Sequence, residues 1–118
     1  MIDKGFAAQF VADWIDSWNS HDLGRILSHY TDEFEMSSPI IVQMAGEPSG
    51  TLKGKSAVGA YWAKALRMFP DLHFDHVATF VGVDSITLQF KWAGGLAAEV
   101  FLFGPQGKVN RAYAHHAA

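Results

Sequence analysis

The sequence predicts an α+β fold, with helices in its first half and an antiparallel meander in its second. Three observations predict it. Phe6, Phe10, Trp14 and Trp18 recur at every fourth residue near the start, which is the spacing of one helix stripe. Ile86, Leu88, Phe90 and Trp92 alternate with Thr87, Gln89 and Lys91, which is the spacing of a strand with one wet face. Turn signals then cut the second half into strand-length pieces.

Taken in order, the first helix runs from about Lys4 to Asn19, with Val11 and Ile15 beside its aromatic stripe. Asn19-Ser20-His21-Asp22 breaks it, and Asp22 is an N-cap for a second short helix whose apolar face is Leu23, Ile26, Leu27 and Tyr30. Phe34 to Ser38 alternates apolar and polar before Pro39 and reads as a short strand. Ile40 to Thr51 contains Gly46, Pro48 and Gly50 and reads as a loop. Ile40, Ile41, Val42 and Met44 make it apolar enough for a flap over a cavity mouth. Ser56 is the expected cap of a third helix with the face Val58, Tyr61, Trp62, Ala65, Leu66 and Phe69, ended by Pro70. Four strands follow, His73 to Val83, Ser85 to Trp92, Ala97 to Phe103 and Lys108 to His115. The outer face of the third, Ala98, Val100 and Leu102, needs a cover, and a second copy of the chain is the natural one. A strongly curved sheet would wrap the three helices and enclose a hollow.

The 118 residues suit a single domain spanning 1–118. With 49% hydrophobic and 18% charged residues the chain is globular, and a net charge of -3 gives no basic footprint for a nucleic acid. Lys53, Lys55, Lys64 and Arg67 alternate with apolar residues and read as a solvated helix end. There is no cysteine, which excludes disulfides, thiolate metal sites and cysteine nucleophiles and fits a cytoplasmic location. No signal peptide and no membrane span are expected. His73 and His76 would point to opposite faces of a strand and could not share an ion. His21 and His29 read as helical surface residues, so no metal is expected. Asp13 and Asp16 fall off the apolar stripe and read as solvated.

Several segments carry a resemblance in their order and spacing. These are Trp18-Asn19-Ser20-His21-Asp22-Leu23, Tyr30-Thr31-Asp32-Glu33-Phe34, and Gly54 through Trp62. Phe69-Pro70-Asp71-Leu72-His73-Phe74 and Phe103 through Val109 complete the set. Together they resemble the nuclear-transport-factor-2-like superfamily, in particular its SnoaL-like polyketide cyclase and ketosteroid isomerase branches, over nearly the whole chain. The resemblance implies a conical barrel open at one end, often dimeric through the outer sheet face. In the isomerase branch the pocket holds a tyrosine on the first helix, an aspartate before a proline, and an aspartic acid on the third meander strand. Those positions correspond here to Trp14, Ser38 and Glu99. Only Glu99 keeps a carboxyl group. Ser38 cannot serve as a base at neutral pH, and Trp14 can donate one hydrogen bond but accept none. Steroid isomerisation by that mechanism therefore lacks its base.

Glu99 has two readings. It is either a solvated side chain on an amphipathic strand or an acid in an apolar pocket, where Trp14, Phe90 and Phe101 would raise its pKa by roughly 2 pH units or more. The parity of Phe101 and Phe103 and the resemblance both favour the pocket. A neutral carboxylic acid there could donate to a substrate carbonyl. His115 and His116 end the last strand and point to opposite sides. His116, in phase with Ala112 and Ala114, is the candidate base, and a frayed solvated terminus is the other reading. Trp14, Trp18, Tyr30, Phe34 and Met36 exceed what a filled small barrel needs when taken with Tyr61, Trp62, Phe90, Trp92 and Phe101. Some of them should line a cavity for an apolar ring-containing ligand, with Trp14 and Ser38 orienting it. The expected function is binding of a small hydrophobic molecule, with a cofactor-independent cyclase, isomerase or dehydratase step beside a carbonyl. The alternatives are a non-catalytic ligand-binding protein and a dimeric protein-interaction domain.

Overall fold

A computed structural model describes all of residues 1–118. Asp3 begins the first helix, α1 (Lys4–Asn19), by accepting the backbone N–H groups of Gly5 at 2.6 Å and Phe6 at 3.1 Å. The residues α1 buries are Ala7, Phe10, Val11, Trp14, Ser17 and Trp18. Phe6 belongs to the stripe by spacing but is 39% exposed, and its ring packs edge-on against Phe103. His21 turns the chain at a φ of 55°. Asp22 then caps α2 (Leu23–Leu27) through the N–H of Arg25.

Four features depart from the sequence reading. The first strand, β1 (Tyr30–Ser37), starts earlier than expected, so Tyr30 is a strand residue and not the last of the α2 stripe. The expected loop contains a short helix, α3 (Pro39–Met44), and a short strand, β2 (Thr51–Lys53). Ser38 caps α3 by accepting the N–H of Ile40, with Pro39 in the first turn where no N–H is needed. Gly54, and not Ser56, takes the N-cap of α4 (Lys55–Met68). Its φ of 87° is one that residues with a Cβ rarely adopt.

The remaining strands are β3 (Asp75–Val81), β4 (Ser85–Trp92), β5 (Gly95–Phe103) and β6 (Val109–His116). They join β1 and β2 in one six-stranded sheet of order β2-β1-β6-β5-β4-β3. All pairings are antiparallel except that of β1 with β6. Helices and sheet enclose a continuous core in which Trp14, Tyr30, Phe34, Phe101, Ile26, Ile41, Ile86 and Leu88 are the largest fully buried side chains. Each such apolar side chain contributes roughly 1.5–3 kcal/mol on burial. The α+β class and the curved, mainly antiparallel sheet are as the sequence predicts, with four helices where three were expected. No helix is long and apolar enough to cross a membrane.

Candidate functional site

The ladder between β5 and β6 sets the site. Glu99 pairs with Ala114 on one side and with Leu88 on the other, so it shares its face with the buried side chains of β4. His116 pairs with Ala97 and falls on the same face, two residues beyond Ala114. The two titratable residues are thus diagonal neighbours across one ladder, a separation of roughly 7–8 Å. Ala97 and Ala114 fill little of the space between them and the helices.

That space is a cavity of about 90 Å³. Fourteen of its 17 lining residues are hydrophobic, and the other three are Ser38, Glu99 and His116. The sequence candidates on its wall are Trp14, Trp18, Met36, Ser38, Tyr61, Trp62, Phe90, Trp92, Glu99 and His116. Three others do not reach it. Tyr30, Phe34 and Phe101 lie in the filled core, at 1%, 0% and 0% exposure, where their rings pack against Trp14 of α1 and Trp62 of α4. Tyr30 still bears on the site, because its hydroxyl accepts the Trp14 indole N–H at 2.9 Å. The one donor of Trp14 is therefore engaged within the protein and is not free for a ligand. Ser38 is likewise committed in part, its hydroxyl oxygen accepting from Ile40 at 3.1 Å.

Glu99 is 5% exposed, and burial raises its carboxyl from 4.5 to about 8, with no hydrogen bond or nearby cation offsetting the effect. At neutral pH it is a carboxylic acid. Burial pushes the Tyr61 phenol up to about 12, the Ser38 hydroxyl opposes this, and the charge of Glu99 adds to it. Tyr30 is raised well above the ordinary phenol range by burial and then by Glu99. His116 is lowered, first by burial and then by the charge of His115, so its imidazole is neutral at pH 7. It is a strand residue packed on Trp92 with ring centroids 5.9 Å apart, not a frayed terminus.

Residues that were not candidates also line the cavity. Ile40 and Met44 come from α3, Phe69 from the end of α4, and Leu72 and Phe74 from the connection to β3. The apolar run in the expected flap and the α4 stripe were the available signals for Ile40, Met44 and Phe69. Nothing local marked Phe74, which stacks on Trp14 at 5.6 Å.

The other polar residues lie elsewhere. Arg25 joins Asp13 at 2.6 Å and Asp16 at 2.8 Å, which lowers the Asp13 carboxyl and ties α1 to α2. His29 stands in the turn before β1, its side chain only 9% exposed and bonded to Asp13 at 2.7 Å. His21 is also a turn residue, bonded to the carbonyl of Leu72 at 2.8 Å. Neither is the helical surface residue that the sequence pattern predicts. His73 precedes β3 and pairs with Asp75, whereas His76 bonds Thr79.

Comparisons with known proteins agree with the fold. A SnoaL-like protein of unknown function from Burkholderia thailandensis is 61% identical, with a TM-score of 0.96 over 99% of this chain and 98% of that one. AclR, a putative hydroxylase from Streptomyces galilaeus, is 15% identical, with a TM-score of 0.74 over 96% of this chain and 90% of that one. A protein with a ketosteroid isomerase-like fold from Catenulispora acidiphila, solved with trimethylamine, is 11% identical, with a TM-score of 0.74 over 92% and 85%. The last two show the fold alone. No curated protein matches the chain. The model of the SnoaL-like domain matches residues 11–117, nearly everything from α1 to the end of β6, and the chain belongs to that family.

Proposed function

We propose that this protein binds a small carbonyl compound with an apolar frame and moves a proton beside the carbonyl, as a cyclase, isomerase or dehydratase does. One observation carries the reading. Two titratable side chains on one wall of an otherwise apolar cavity are each pushed towards the neutral form. A neutral carboxylic acid at Glu99 donates to the carbonyl oxygen, and a neutral imidazole at His116 takes the proton from the adjacent carbon. The chemistry needs neither a metal nor an organic cofactor. About 90 Å³ is small beside the ~300–1,000 Å³ of common ligand sites, which favours a substrate of few heavy atoms or one that displaces the α3 side of the mouth. We further assign the outer face of β5, with Ala98, Val100 and Leu102, to a homodimer contact, and we place the protein in the cytoplasm.

The test needs no knowledge of the natural substrate. Exchange of the α hydrogens of cyclohexanone in heavy water, followed by proton NMR, reports the proposed step directly. Glu99→Gln should lower the exchange rate at least about a hundredfold while affinity for the ketone changes less than about threefold. The rate should fall above pH about 8 as Glu99 ionises, and again on the acid side, below the ordinary histidine range, as His116 gains a proton. Binding without exchange in the parent protein leaves a ligand-binding protein without chemistry. An equal loss of both in the variant removes the acid role of Glu99.

A further inference from the structure

Three buried side-chain polar atoms in the molecule have no hydrogen-bond partner: Trp18 Nε1, Trp92 Nε1 and His116 Nε2. All three belong to residues that line the cavity beside Glu99. Native structures leave few buried polar groups unpaired, and a cluster of them in one place calls for a missing partner. Indole nitrogen donates and never accepts, so two of the three fix the polarity of that partner. They also stand apart. Trp18 is on the helical wall, against Trp62 at 5.3 Å between ring centroids, and Trp92 is on the sheet wall, against His116 at 5.9 Å. Glu99, with no hydrogen bond setting its carboxyl, lines the same cavity.

We propose that the cavity selects a ligand with hydrogen-bond acceptors on two sides, a small dicarbonyl compound or its enol, and that Trp18 and Trp92 supply the donors that distinguish it from a simple ketone. The proposal rests on the cavity being the ligand site, as in the reading above, and narrows that reading to one substrate class. Trp14 gives an internal contrast. Its N–H is already bonded to Tyr30, so it has nothing to gain from the ligand. Both indole nitrogens are closed off in the ligand-free walls, so the proposal requires the walls to part on binding for ligand oxygens to meet them. His116 can meet a third group as donor or acceptor according to its tautomer.

Titration of the full chain at neutral pH with pentane-2,4-dione, which is largely un-ionised there, and, separately, with pentan-2-one tests this. The indole N–H signals of the four tryptophans, assigned with Trp→Phe variants, are followed by nitrogen–proton correlation NMR. The dione should bind at least about tenfold tighter than the ketone. The Trp18 and Trp92 signals should move downfield on saturation while Trp14 stays in place. Trp92→Phe should erase most of the preference for the dione over the ketone. Equal affinity for the two compounds overturns the proposal, as do stationary Trp18 and Trp92 signals. Either result would mean that the two indole nitrogens take no part in choosing the ligand. The α-exchange experiment is read on cyclohexanone, so acid–base chemistry at Glu99 can stand when this selectivity fails, and the reverse.

Discussion

The two ends of the barrel are built on the same strands and differ in how their inward side chains are satisfied. On β5, Phe101 packs edge-on against Phe10 at 5.0 Å and Trp14 at 5.3 Å, whereas Glu99, one inward position away, borders a hollow. On β6, Ala112 lies in the filled core, whereas Ala114 and His116 lie on the cavity wall. Polar groups near the filled end are paired, Trp14 with Tyr30 and the Ser17 hydroxyl with the Trp14 carbonyl at 2.7 Å. At the hollow end Trp18 Nε1, Trp92 Nε1 and His116 Nε2 are not. Packing at one end stabilises the fold, and the other keeps uncompensated polarity at a cost in stability, a pattern expected where a site has to be held ready for a guest.

The largest effect should come from the filled end. Phe101→Ala removes a fully buried ring and should lower the unfolding free energy in urea by about 3–5 kcal/mol. A loss under about 1 kcal/mol would mean that the two ends do not differ in packing. Glu99→Gln should act in the opposite direction. The carboxyl sits near 4.5 when unfolded and at about 8 when folded, so folding takes up a proton between those values. The stability tied to Glu99 is fully present below pH 4.5 and is lost as pH rises to about 8. At pH 7 the loss is on the order of 3 kcal/mol. The glutamine variant, which has no charge to bury, should therefore be the more stable protein at pH 7 and gain nothing at pH 4. Thermal melts at the two pH values compare them. A gain of equal size at both would indicate that burial does not raise this carboxyl. The smallest effect is expected from Tyr30→Phe, which leaves the Trp14 N–H unpaired in the core and should cost about 1–2 kcal/mol without altering ligand affinity by more than about twofold.

The same contrast governs what the sequence could disclose. Elements whose burial repeats with a local period were legible. The α1 aromatics at every fourth residue and the alternation in β4 appear almost unchanged in the structure. His116 was legible as a candidate through strand parity with Ala112, and Glu99 through its parity with Phe101 together with the family resemblance. Short elements were not. The six residues of α3 are too few for a period, although Ser38 before Pro39 is the capping pair of a helix start and could have been read as one. Gly54 took the α4 cap through a backbone angle that no side-chain pattern reveals. Pairing across the fold was the least accessible. The Trp14 donor is engaged by Tyr30, 16 residues away, and Phe74 meets Trp14 only because the β3 connection folds back over α1. Such contacts depend on tertiary geometry and leave no trace in neighbouring residues.

The parallel ladder between β1 and β6 has a consequence for the order of assembly. β5, β4 and β3 can zip up through adjacent hairpins, and β2 can fold back on β1 around α3, but the two groups share no edge until β6 is laid between them. That seam joins parts of the chain farther apart in sequence than any other pairing in the sheet, so it carries the greatest cost of loop closure. The strand that completes the sheet also delivers His116. A chain shortened ahead of Val109 would lose its keystone and its imidazole in the same cut, and no unjoined intermediate could present a finished site.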